Sequence, residues 1–85
     1  MEVAYEDIEG KLLKDASIDT QFSGTTAVSC IIRGKVLKAA NIGDSRLIIG
    51  TEQNGKLVPT EVTIDHKPDM KEERARIIKA GGCVF

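Results

Sequence analysis

Apolar residues recur at every third or fourth position from Val3 to about Ala16. Ala4, Tyr5, Ile8, Leu12, Leu13 and Ala16 therefore share one stripe, and the period predicts an amphipathic helix. Acids lead it and lysines close it: Glu2, Glu6 and Asp7 suit the positive end of the helix dipole, and Lys11 and Lys14 suit the negative end. Asp7 and Lys11 also have the favourable i,i+4 spacing. Gly10 costs such a helix up to ~1 kcal/mol relative to alanine, so the stripe needs a surface to pack on. Ser17 to Gly24, small and polar, reads as a loop.

The period changes at Thr25. Through Ile32 the residues are β-branched or small and apolar, which predicts a strand covered on both faces. Arg33-Gly34-Lys35 is a short polar connector, so the run from Val36 returns antiparallel as a hairpin. After a break at Gly43 to Arg46 a third strand runs from Leu47 to Gly50. Thr51 to Lys56 contains Asn54-Gly55, the strongest short-range turn pair, and leads to Leu57. Pro59 predicts a strand edge or bulge, and Glu61 to Ile64 a last short strand. Pro68 cannot lie inside a helix, while Asp69 and Glu72 have the spacing of a capping box, so a second helix should start here. Its apolar face is Met70, Ile77, Ile78 and Ala80, with Glu72 and Arg76 paired towards solvent. Gly81-Gly82 ends it, Gly81 suiting the left-handed cap. Cys83-Val84-Phe85 reads as the opening of another strand.

The stretch Val36 to Ile49 is where chemistry should sit, because a glycine, a carboxylate and an arginine interrupt an apolar run there. An apolar strand up to Ile42 can carry Asp44 to the surface of a sheet, and Gly43 permits a bulge or a close approach. The same four residues also fit an ordinary turn in which Asp44 and Arg46 pair or cap backbone groups.

Composition narrows the classes. At 85 residues the chain is one small domain or a piece of a larger one, able to bury only about 60–70% of its unfolded surface. Twelve basic against thirteen acidic residues, with no block of one sign, imply neither nucleic acid nor an anionic membrane as partner. No apolar run approaches the ~18 residues of a membrane span, and the acidic N-terminus is unlike a signal peptide. Three aromatic residues, Tyr5, Phe22 and Phe85, do not make a base-stacking surface. Cys30 and Cys83 are too few for a disulfide scaffold, and Cys30, in an apolar run, is expected as a buried reduced thiol. An intracellular setting follows, cytoplasmic with the nucleus as alternative. The only histidine, His66, has no zinc-type partners nearby in sequence.

Several stretches together carry a resemblance: Ser23-Gly24-Thr25-Thr26-Ala27; Ala40-Asn41-Ile42-Gly43-Asp44-Ser45-Arg46; Asp65-His66-Lys67-Pro68; and Glu73, Arg76-Ile77 with Ala80-Gly81-Gly82-Cys83-Val84. In this order and spacing they resemble the metal-dependent serine/threonine protein phosphatases of type 2C, closely over Ser23 to Phe85. The helix from Val3 to Ala16 takes the place of the family's helix before the first of these stretches. The resemblance implies an α+β fold, antiparallel strands with two flanking helices forming part of an αββα sandwich. It also implies a binuclear Mg²⁺ or Mn²⁺ centre and hydrolysis of phosphoserine and phosphothreonine by a metal-bound water, without a covalent phosphoenzyme. Two hard cations held by carboxylates lower the pKa of such a water and neutralise charge on the phosphate. The matching motif makes Asp44 a ligand of an additional, weaker metal site, and it is the one residue here assigned to metal.

What is missing from the sequence shapes the rest of the expectation. The family's core ligands come from a Glu-Asp pair earlier than this segment, an Asp-Gly-His-Gly-Gly run and later Asp-Gly and Asp-Asn motifs. The last three are absent here, Glu6-Asp7 lies within the first predicted helix, and the family's phosphate-binding arginine lies upstream. Residues 1–85 are therefore expected to be the central segment of a catalytic domain, with no catalytic residue of their own and inert when alone. Their partners are a phosphoprotein substrate and the remainder of that domain. His66 and Asp65 are expected to order the strand-to-helix turn, and Arg46 to buttress Asp44 or a neighbouring strand. The alternative is a non-catalytic regulatory or interaction module on a phosphatase-like scaffold. Either way, sheets cut from a sandwich expose edges and favour self-association.

Overall fold

The computed structural model describes all residues from Met1 to Phe85. Helix α1 (Glu2–Lys14) is followed by strands β1 (Ala27–Arg33), β2 (Val36–Ile42), β3 (Ile48–Gln53) and β4 (Lys56–Glu61), then helix α2 (Lys71–Lys79). The architecture is α+β: β1 and β2 form one antiparallel sheet, β3 and β4 another. No helix is long and apolar enough to cross a membrane.

Helix α1 stops two residues short of Ala16. Asp15 leaves the helix with extended backbone, and its carboxylate accepts the Ser17 N–H at 2.9 Å and the Ser17 hydroxyl at 2.6 Å, a turn that competes with further helix. These bonds, the hydroxyl first, hold the Asp15 carboxyl below the usual carboxylate range. The helix docks on the first hairpin through Tyr5, whose hydroxyl meets Ser29 Oγ at 2.7 Å and donates to the Ala40 carbonyl at 3.3 Å.

Two-residue turns close both hairpins. Arg33 pairs with Val36 across Gly34-Lys35, where Gly34 takes φ +60, the requirement of a type II′ turn at its first central position. Gln53 pairs with Lys56 across Asn54 (φ +53) and Gly55 (φ +76), a type I′ turn. The third strand is longer than its apolar run, because this turn draws Thr51 to Gln53 into the ladder. Strand β4 passes through Pro59 without a bulge. Counting pairs from the turn puts Pro59, opposite Gly50, at a non-hydrogen-bonded position, where an N–H would face away from the partner. The separate strand expected from Glu61 to Ile64 does not form. Val62 still donates to the Leu47 carbonyl at 3.0 Å, but the Leu47 N–H turns to Thr63 Oγ1 at 2.9 Å, and the ladder ends there.

The second helix begins later than the capping-box spacing predicts. Met70 is its N-cap, with no side-chain bond, because Pro68 and Asp69 sit in a turn closed by Met70 N–H to the Lys67 carbonyl at 3.1 Å. Arg76 consequently pairs with Glu73 and not Glu72, donating to both carboxylate oxygens at 3.2 and 2.8 Å. The helix ends as expected. Gly81 has φ +90, its N–H donates to the Ile78 carbonyl and that of Gly82 to the Ile77 carbonyl, a Schellman motif. Cys83 to Phe85 join no ladder.

The expectation of a two-faced covering for β1 fails, and so does that of a buried Cys30: Ile31 and Ile32 are 52% and 71% exposed and Cys30 is exposed. The radius of gyration is 16.7 Å, against about 12 Å for a compact chain of this length. Its surface of 7584 Å² compares with roughly 4,900 Å² for a compact protein of the same mass. Only Thr63 is buried. The hairpins are laid out with their apolar faces open.

Candidate functional site

The break between β2 and β3 is the best-connected place in the chain. Gly43 has φ +100, a conformation that L side chains rarely adopt, and a β-carbon there would stand 2.9 Å from Thr26 Cβ. Next to it, Ser45 Oγ meets Thr26 Oγ1 at 2.7 Å, so the residues just before β1 are fastened to the break. From the other side comes the segment after β4. His66 N–H donates to the Gly43 carbonyl at 2.9 Å, and the Gly43 N–H donates to His66 Nδ1 at 3.3 Å. Asn41 Nδ2 gives its two hydrogens to the Gly43 and Ile64 carbonyls at 3.1 and 3.2 Å. Its Oδ1 is buried without a partner.

Arg46 completes the knot. Its Nε and Nη2 donate to the two oxygens of Asp65 at 3.1 and 2.7 Å, and Nη1 lies 3.9 Å from Glu61 Oε1. The hydrogen bonds from Arg46 hold the Asp65 carboxyl below the usual carboxylate range, and the same pair pushes the guanidinium up. Of the two roles open to Arg46, supporting Asp44 or a neighbouring strand, the geometry takes the second. Asp65 lies in the irregular segment ahead of the Pro68-Asp69 turn and not in the turn itself, and His66 binds Gly43 rather than Asp65.

Asp44 projects from this knot. It is exposed and takes part in none of the chain's ion pairs. It borders a shallow concavity of about 590 Å³ together with His66, Lys67, Pro68 and Asp69. No three His, Cys, Asp or Glu side chains stand close enough to hold a metal ion, so the residues present do not make a metal centre by themselves. What the chain provides is one carboxylate, without an internal partner, on a rigidly held loop.

Sequence reasoning singled out Asp44, Arg46, Asp65 and His66 but passed over the residues that join them. Thr26, Asn41 and Ser45 lay inside the quoted stretches, and that membership was the available signal. Thr63 carried none.

The model of the family described as Protein phosphatase 2C matches residues 3–85. Among similar proteins, one from Oryza sativa subsp. japonica named "Probable protein phosphatase 2C 12" is 45% identical over 83 residues, covering 96% of this chain and 21% of its own length. A second from that organism, "Probable protein phosphatase 2C 75", is 43% identical and covers 96% of this chain and 19% of its own length. "Probable protein phosphatase 2C 73" of Arabidopsis thaliana is 39% identical over 79 residues, with 92% and 21% covered. No solved structure matches. The chain thus spans about a fifth of the length of these relatives. Nearly its whole length matches one family model, and three of its four distinctive stretches meet at one knot: the chain belongs to the protein phosphatase 2C family.

Proposed function

We propose that this chain supplies one carboxylate, Asp44, to the Mg²⁺ or Mn²⁺ cluster of a protein serine/threonine phosphatase whose other ligands lie in the remainder of the catalytic domain. The observation that carries this reading is the contrast at the knot. Gly43 and Ser45 on either side of Asp44, with Arg46 beyond, are tied into hydrogen bonds across three segments, while the acid itself is exposed and joins no ion pair of the chain. A cation cluster completed by the rest of the domain would supply charge neutralisation at phosphoserine or phosphothreonine and an activated water. The residues here do no chemical step. They fix the backbone on either side of the acid.

One carboxylate gives Mg²⁺ little to hold, since that ion keeps several waters and leans on substrate phosphate where protein ligands are few. The isolated chain is therefore inactive. Purified alone and incubated with Mn²⁺ or Mg²⁺ and p-nitrophenyl phosphate, it should show no turnover above metal alone. Turnover that Asp44→Ala abolishes would overturn this. In a complete catalytic domain containing this segment, Asp44→Ala should lower the rate while leaving stability within about 0.5 kcal/mol, as for an exposed, unpaired side chain.

A further inference from the structure

We propose that His66 is the positioning residue for Asp44, through a two-point grip on Gly43. The inference rests on reading Asp44 as a metal ligand and adds a residue to which no role of this kind has been given. Its basis is the geometry of two peptide planes. The Gly43 carbonyl lies in the plane that joins Gly43 to Asp44, and it accepts from His66 N–H at 2.9 Å and from Asn41 Nδ2 at 3.1 Å. Fixing that oxygen fixes where the Asp44 nitrogen and α-carbon can go. The Gly43 N–H lies in the preceding plane and donates to His66 Nδ1 at 3.3 Å. One residue, 23 positions further on, thus holds both planes that meet at Gly43.

The grip matters because little else constrains these planes: Asn41 shares the Gly43 carbonyl, while the Gly43 N–H donates to His66 Nδ1. Gly43 has φ +100 and no side chain, the most permissive backbone in the protein alphabet, and Asp44 has no partner to steady it. Left free, the peptide would sample many directions for the carboxylate, and each would be paid in ligand affinity. The Thr26 side chain blocks one side of Gly43, and His66 closes the other. Accepting at Nδ1 places the imidazole proton on Nε2, at the ring edge away from Gly43. His66 also borders the concavity beside Asp44.

The test compares the native chain with His66→Ala and His66→Asn, where the asparagine side-chain oxygen can take the place of Nδ1 as acceptor. Amide exchange at Gly43 reads the grip, and Mn²⁺-induced broadening of the Asp44 amide reads the consequence. His66→Ala should speed Gly43 exchange by about tenfold or more, the factor for about 1.4 kcal/mol of lost local protection. It should also weaken Mn²⁺ broadening at Asp44 several-fold, while His66→Asn restores both and amides in β1 and β3 stay unchanged. Native Gly43 exchange in the alanine variant, or an asparagine variant no better than alanine, overturns the proposal. If Mn²⁺ leaves Asp44 sharp in the native chain, the metal arm moves to a complete catalytic domain containing this segment, where a sharp Asp44 overturns the metal reading. The grip is then judged by Gly43 exchange and the Asp44 backbone coupling constant, and native values for both in His66→Ala overturn it.

Discussion

Thr26 and Gly43 are packed as closely as the absence of a side chain allows: a β-carbon on Gly43 would overlap the Thr26 methyl and stand 2.9 Å from its Cβ. Two costs therefore combine in Gly43→Ala. Left-handed backbone costs an L residue about 1–2 kcal/mol, and the overlap adds about 1–3 kcal/mol. Thr26→Ser removes the methyl but keeps the hydroxyl bound to Ser45. The double variant should recover the methyl's share of the overlap, not the share from the β-carbon that serine keeps nor the backbone part, read as local protection of the Leu47 and His66 amides. Strictly additive effects would show that the two residues do not press on each other.

Arg46 and Asp65 make the knot sensitive to acid. Because Arg46 depresses the Asp65 carboxyl in the folded chain, the stabilisation from this pair is complete above the unfolded value of about 3.9. It is lost as pH falls through the lower folded value. Arg46→Gln should raise the titration midpoint of the Asp65 carboxyl carbon towards that of an ordinary aspartate. A midpoint that does not move would show that the arginine is not its cause.

Asn41 acts through its donors, since both amide hydrogens are spent on carbonyls and its oxygen finds no partner. Asn41→Asp keeps the shape but turns acceptors towards the Gly43 and Ile64 carbonyls. A loss of about 1–3 kcal/mol of local stability is expected, from groups left unpaired. Amide exchange at His66 is the readout, and native protection there would contradict it.

How much of this was legible beforehand follows from what each residue answers to. Asn54-Gly55 and Gly81 announce themselves because only certain residues tolerate left-handed backbone, and both behave as read. Asp69 failed because a capping box is a local pattern, and the Pro68 turn delayed the helix past it. Pro59 behaves as read, since β4 pairs with β3 alone and is an edge strand; its place in the pairing alternation, which spares the ladder a bond, is invisible before the register is known. Asp44 was found through its motif, yet the grip of His66 on Gly43 spans 23 positions and no periodicity reports such a contact. Cys30 was misread because an apolar run says which surface wants covering, not whether this chain covers it.

The uncovered surface should make the chain associate with itself. Each sheet has two free edges, and Ile32 and Leu57 are 71% and 76% exposed. Light scattering should show mass rising with concentration, and Ile32→Lys should lower that rise by charging a β1 position. A monomer at millimolar concentration would refute this.

The two-residue turns also set an order of events. Ladder partners lie no more than fifteen positions apart, the widest being Ala27 with Ile42, so each hairpin closes a short loop and can zip within about 1–10 μs on its own. Binding Gly43 to His66 closes a longer loop, and pairing of β3 with β4 shortens it because that hairpin lies between the two residues. The acid is therefore aimed after the hairpin that leads back to it, and a nascent polypeptide would present β3 and β4 before it presents a competent ligand.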